Sequence, residues 1–152
     1  MVPSKELCQQ VYRQLKQLSP STVYIYELNN DEVPNSQPDI LVCTPTQLLK
    51  NAEKFKNSDS DENNYINTYA TVIIDEADLI TTFGHAGALT ELVEKHLNKN
   101  RQMVLLSATL DMEDDEVAEL RDLQGGFAKM SSKWLKMTVF DMYVNVHVCT
   151  CM

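Results

Sequence analysis

Glycine is scarce in this chain. The four present, at positions 84, 87, 125 and 126, are followed by His, Ala, Gly and Phe, never by lysine. A glycine-rich turn carrying the G-K-[ST] lysine, the usual cradle for nucleotide phosphates, is therefore excluded from these 152 residues. Long apolar runs are also missing, so no transmembrane helix is expected. The opening "MVPSKELCQQ" has no hydrophobic signal core, so Sec-type secretion is not expected either. Cysteines are few. Cys8 and Cys43 lie inside apolar runs and read as small buried hydrophobes. His147, Cys149 and Cys151 form a loose H-x-C-x-C run with no further ligand nearby, so a reduced, intracellular protein is expected rather than a zinc site. Finally, there is no basic excess. The net charge is -9, which argues against a generally sticky nucleic-acid binder. The acidity is uneven: residues 1–56 carry equal numbers of bases and acids, and the whole excess falls in residues 57–152. The N-terminal third is thus the region least repelled by a phosphate backbone.

What is present is the composition of an ordinary globular domain, 43% hydrophobic and 23% charged, with enough length for one core. Ser4 is placed to cap a helix whose apolar positions are Leu7, Val11, Leu15 and Leu18, and "SPS" at 19–21 ends it. "TVYIYEL" (22–28) reads as a strand and "DILVC" (39–43) as a second. The latter runs into Thr44-Pro45, a capping residue followed by proline at the first helical position. Residues 56–64 read as a polar acidic loop. "ATVIID" (70–75) and "QMVLLS" (102–107) are two further strands. Between them Leu89, Leu92, Val93 and Leu97 recur at helical spacing. Residues 111–123 read as an acidic helix stopped by Gly125-Gly126. Helices alternate with strands that are apolar throughout, which predicts a parallel sheet covered on both faces. The tail "VFDMYVNVHVCTCM" differs, alternating like a long one-sided strand.

In such sheets ligands collect at the carboxyl ends of strands. There the chain turns from "TVII" to Asp75, Glu76, Ala77, Asp78. A buried strand gives these acids a floor and a fixed direction. Asp75 is placed to hold a phosphate-bound Mg²⁺, which takes one or two protein carboxylates and keeps its other positions for water and phosphate. Glu76 is placed to orient or deprotonate a water attacking a phosphate. Asp78 can reach a neighbouring strand end, where Ser107 and Thr109 offer hydroxyls. The plainer alternative is an acidic strand-to-helix turn capped by Asp78.

Four segments together carry a resemblance. "VIIDEAD" and "LLSATL" resemble motifs II and III of the DEAD-box RNA helicases, "VPSKELCQQ" resembles their motif Ia, and "DILVCTPTQLL" their motif Ib, all in the family's order. Leu79 after D-E-A-D, and Phe83-Gly84 beyond it, resemble the nucleolar branch that serves large ribosomal subunit assembly. The resemblance implies an incomplete RecA-like (P-loop NTPase) α/β fold. It would be a parallel sheet flanked by helices with a divergent C-terminal strand, divided into a partial helicase domain at 1–123 and an unmatched segment at 124–152.

It further implies that Asp75 coordinates the Mg²⁺ of ATP and Glu76 positions the hydrolytic water. Asp78, Ser107 and Thr109 would couple nucleotide state to RNA. Pro3, Ser4, Lys5 and Glu6 in Ia, with Thr44 and Pro45 in Ib, would grip the RNA backbone. The expected partners are RNA and pre-ribosomal proteins, with no membrane, in the nucleus and nucleolus or alternatively the cytoplasm. The chain also departs from the pattern. The Gly-Arg of Ib is Thr46-Gln47 here, with Lys50 one turn on as a substitute cation, and no Gly-Gly doublet lies between Ia and Ib. With neither the P-loop nor a second RecA-like domain in these residues, no ATPase is expected of the chain alone, and the missing P-loop strand is expected to leave a sheet edge or gap. Two other readings compete: a non-catalytic RNA-binding or interaction module that has lost its ATP site, and an unrelated P-loop NTPase. Trp134 is expected to plug the core, and His85 and His96 to be surface residues.

Overall fold

The structure, a computed structural model, describes residues 1–29, 32–55, 65–107, 135–139 and 142–149. Thr109, the expected helix at 111–123, the acidic loop at 56–64, Trp134 and Cys151 lie outside the described residues.

Local signals set the first elements. Helix α1 spans Lys5–Leu18; the Ser4 hydroxyl accepts from Leu7 N at 3.2 Å. Ser19 closes it, donating to Leu15 O, ahead of Pro20. Strands β1 (Ile25–Glu27) and β2 (Ile40–Val42) pair in parallel. Helix α2 (Pro45–Asn51) starts as expected, with Pro45 at its first position and the Thr44 hydroxyl accepting from Gln47 N at 3.3 Å. It tightens into a 3₁₀ turn at Ala52–Phe55. A second 3₁₀ turn, Tyr65–Thr68, brings Tyr65 edge-on to Phe55 with centroids 5.0 Å apart. Strand β3 (Thr71–Ile74) follows, then helices α3 (Ala77–Thr82) and α4 (Ala86–Glu91). The last turn of α4, Leu92–His96, is widened, with Leu97 N donating to Leu92 O five residues back.

Strand β4 (Gln102–Ser107) lies parallel to β3, Ile74 opposite Leu105. Two strands complete the sheet, β5 (Leu135–Val139) and β6 (Met142–Cys149), in the order β3-β4-β6-β5. β6 runs antiparallel to β4, Met103 opposite Cys149 and Ser107 opposite Asn145. The tail is therefore a strand, as its alternation indicates, and it occupies one edge of β4. The opening in the sheet lies elsewhere, between β2 and β3.

The core has two parts. Phe55, Ile66, Ile74, Ile80, Leu89 and Leu92, all fully buried, pack with Val72, Met103 and Leu105 on one face. On the other face α1 lays Cys8, Val11 and Leu15 over Val2, Ile25, Ile40 and Val42. Cys8 and Cys43 are buried free thiols, and burial pushes them up to about 12 and about 11 respectively. The expectation of strands buried on both faces needs correction. β3 alternates, with Val72 and Ile74 buried and Ile73 49% exposed, because among the described residues α1 reaches β1 and β2 rather than β3 and β4. No helix of the described residues is long and apolar enough to cross a membrane.

Candidate functional site

Asp75 is the first residue off β3, and Ser107 ends β4 beside it, since Ile74 already pairs with Leu105. The acids thus sit at a strand tip rather than on a helix flank. Asp75 is tethered at its backbone, donating to Met1 O at 2.9 Å, and its Oδ1 accepts from Glu76 N at 3.1 Å. Glu76 stands just before α3 with φ 51 and ψ 51, the only described non-glycine residue at positive φ. Leu79 N donates to its carbonyl. This left-handed turn reverses the chain between strand and helix at a cost of about 1–2 kcal/mol. Partial burial, then the neighbouring charges of Asp75 and Asp78, raise the Glu76 carboxyl above the usual carboxylate range. Ser107 is buried, at 3% exposure. Among the described residues no three His, Cys, Asp or Glu side chains cluster as a metal cage. A single fixed carboxylate such as Asp75 nevertheless fits Mg²⁺ that arrives with phosphate and keeps its waters.

Because the strain sits at Glu76 itself, Glu76→Gly should stabilise the fold by about 1 kcal/mol and raise Tm by about 2–4 °C. Calorimetry of the two proteins checks this. A Tm equal to or below wild type would mean that the strain relieved is no larger than the ~0.5–1 kcal/mol that glycine costs in backbone entropy.

A second feature lies nearby. Pro3, Ser4, Lys5 and Glu6 face Thr44, Thr46, Gln47 and Lys50 across a groove of about 520 Å³, closed by Phe83 and His85. The first turns of α1 and α2 both open onto it. Pro45 is buried as the first residue of α2 and lies beneath rather than in the groove. Glu6 serves its own helix end: its carboxyl is held below the usual range by its backbone N–H and by the Ser4 hydroxyl.

His85, read from the sequence as a surface residue near a helix, stands half-exposed at the start of α4 and also has partners that the sequence did not indicate. Its Nε2 lies 2.8 Å from Pro3 O and its Nδ1 2.7 Å from Thr46 Oγ1. A carbonyl only accepts, so Nε2 carries the proton, and in the neutral ring Nδ1 accepts from the Thr46 hydroxyl. One imidazole thereby ties the start of α1 to the start of α2. The end of α3 aims it there. Gly84, at φ 73, donates to Thr81 O while His85 N donates to Ile80 O, a Schellman stop. A Cβ on Gly84 would meet nothing, so the backbone angle rather than space calls for glycine. "TTFGH" held this signal in its helix-stopping glycine, although the partners of His85, 39 and 82 residues away, are not local.

Residues 1–117 match the DEAD/DEAH box helicase family. Similar curated proteins include a probable ATP-dependent RNA helicase ddx56 of Dictyostelium discoideum, 33% identical over 79% of this chain and 18% of its own length. Two proteins named ATP-dependent RNA helicase DBP9 also match. That of Yarrowia lipolytica is 36% identical over 76% of this chain and 21% of itself; that of Saccharomyces cerevisiae is 35% identical over 97% and 28%. A parallel strand pair ending at Asp75 and Ser107, with helices beside it, thus belongs to an incomplete RecA-like α/β fold, and the chain is a member of the DEAD/DEAH box helicase family. It spans less than a third of the length of these relatives.

Proposed function

We propose that this chain is the RNA-gripping and carboxylate-bearing portion of an ATP-dependent RNA helicase, with a partial helicase domain at 1–123 and a divergent segment at 124–152. In the complete machine, ATP hydrolysis remodels RNA duplexes. The DEADLITTFG segment favours the branch that acts on pre-ribosomal RNA and protein in the nucleolus. Asp75 gives Mg²⁺ one carboxylate, and Glu76, its proton affinity raised by burial and by Asp75, orients and deprotonates the attacking water. Asp78, Ser107 and Thr109 carry the nucleotide state across the strand tips. Pro3, Ser4, Lys5 and Thr44 hold the sugar-phosphate backbone, assisted by Lys50, while Glu6 and the buried Pro45 fix the starts of α1 and α2 that present them.

One observation carries the reading. Segments 3–6 and 44–50 share one groove, and α3, which starts at the carboxylates, ends on that groove through His85. Any movement of α3 at the acid end is delivered to the two RNA-facing loops. Two helix starts and two lysines line the groove, and such contacts grip phosphate without reading base sequence.

Binding of single-stranded RNA should weaken with salt, with a slope of about 0.7 per phosphate contacted. Lys5→Glu and Lys50→Glu should each weaken it uniformly across RNA sequences and reduce that slope. Fluorescence anisotropy at several salt concentrations measures both. RNA affinity unchanged in both variants would remove the groove from the reading. The alternative reading is a non-catalytic RNA-binding module without an ATP site. RNA binding that stays indifferent to ATP even when a phosphate cradle is supplied would select it.

A further inference from the structure

The described aromatic side chains are almost all committed to packing. Phe55 and Tyr65 stand edge to face in the larger core, Tyr26 packs against that core, and Tyr12 lies in the cluster beneath α1. Tyr69 is anchored by its hydroxyl, which donates to Pro38 O at 2.8 Å. Tyr24 is 38% exposed but still meets Tyr26 edge-on, with centroids 6.5 Å apart. Phe83 differs. It is 53% exposed, it belongs to neither core cluster, and among the described residues no other ring or cation lies against it. It also lines the groove of about 520 Å³ that holds Lys5 and Lys50.

The ring is carried on a fixed backbone. Phe83 closes α3, its N–H donating to Leu79 O at 3.0 Å. Gly84 N then donates to Thr81 O at 2.8 Å and His85 N to Ile80 O at 2.9 Å. On the far side the His85 imidazole is held at both nitrogens, by Pro3 O and by Thr46 Oγ1. Phe83 is thus pinned between the end of α3 and the starts of α1 and α2, and it has little conformational freedom left to lose on binding. An uncovered ring beside cations is the composition of a single-strand platform. The cations follow the phosphates while the aromatic face takes a base, and every base offers such a face. In a paired helix the bases are stacked within, so it is an unpaired base that presents its face to a side chain.

We propose that Phe83 is the base-stacking residue of this groove, receiving one unpaired RNA base while Lys5 and Lys50 hold the flanking phosphates. The inference rests on the RNA reading of the groove. It adds what phosphate contacts do not supply, a preference for single strands over paired RNA. The ring has no charge and no hydrogen-bonding atom, so it holds the strand without reading which base is there. Ring and lysines therefore separate in solution: the lysines set the salt dependence, and the ring sets the share of affinity that depends on a base being present.

The test uses the 152-residue chain with three probes: single-stranded oligouridine, the same strand paired with its complement, and an abasic ribose-phosphate strand of equal length. Affinities are read by fluorescence anisotropy at several salt concentrations. Phe83→Ala should weaken binding of oligouridine by about fivefold or more with the salt slope unchanged. It should leave binding of the paired and abasic strands as in wild type. Phe83→Trp should bind oligouridine at least as tightly as wild type, and Phe83→Leu, apolar but without a π-face, should weaken it as alanine does. A leucine variant equal to wild type, or an alanine loss as large on the abasic strand, would overturn the proposal, because the ring would then serve packing alone. If Lys5→Glu weakens RNA binding while Phe83→Ala does not, the groove still grips RNA and the stacking inference falls by itself, leaving the ring to a protein partner. RNA binding indifferent to both lysines and to the ring would remove groove and platform together.

Discussion

Glu76→Gln is expected to lower ATP hydrolysis by about 10²- to 10⁴-fold in a polypeptide that joins this chain to a G-K-[ST] phosphate cradle and a second RecA-like half. RNA affinity should be unchanged, because the groove of Lys5, Thr44 and Lys50 lies at the other end of α3. The size follows from chemistry. Glutamine keeps the shape and one acceptor but cannot take a proton from water. The pH dependence follows from the environment of the acid. Burial, Asp75 and Asp78 raise its pKa, and the working base is the deprotonated form, so the rate should fall on the acid side as pH drops through that raised value.

Stability moves the other way. Between the unfolded and the raised folded pKa the native state holds the extra proton, so this group makes the fold less stable as pH rises through that window. Glu76→Gln should abolish both dependences at once. Stopped-flow phosphate release and urea melts across mildly acidic pH measure them. A glutamine variant that hydrolyses ATP at the wild-type rate would remove Glu76 from the chemistry.

Ile74→Ala is expected to destabilise the chain by about 2–5 kcal/mol, a large part of the ~5–15 kcal/mol that holds a typical domain. Ile74 is fully buried, and Ile80 and Leu105 belong to the same core. It is also the residue from which the carboxylates depart, so the cavity left by its side chain loosens the floor beneath Asp75. The exposed neighbour supplies the contrast. Ile73 is half uncovered, and Ile73→Ala should cost far less, about 1 kcal/mol. Urea denaturation of the two variants distinguishes them. Equal losses would mean that the alternation of β3 has been misread.

The legible parts were those set by neighbours in sequence. Ser4 and Thr44-Pro45 start helices through hydrogen bonds spanning only three residues, and Asp75 leaves a strand whose β-branched run is continuous. The clustering of Pro3, Ser4, Lys5 and Glu6 with Thr44 came from resemblance rather than from composition. What stayed hidden depends on partners far along the chain. β6 settles beside β4 some forty positions earlier, antiparallel to it, and among the described residues β1-β2 and β3-β4 stand in separate sheets. His85 looks like a surface imidazole until Gly84 turns it onto Pro3 and Thr46. The left-handed turn at Glu76 had no glycine or asparagine to announce it. Strain at an acid proposed to be functional is where local rules are expected to fail.

The central proposal is that this polypeptide supplies the carboxylates and the RNA-facing groove and that another segment holds ATP. Phosphate release from Mg²⁺-ATP by the purified 152-residue chain, with saturating RNA, tests it most directly. The expected result is no release above background together with salt-sensitive RNA binding. Sustained turnover that disappears in Glu76→Gln would contradict the account, because the chain would then be gripping the nucleotide with residues other than a glycine–lysine cradle.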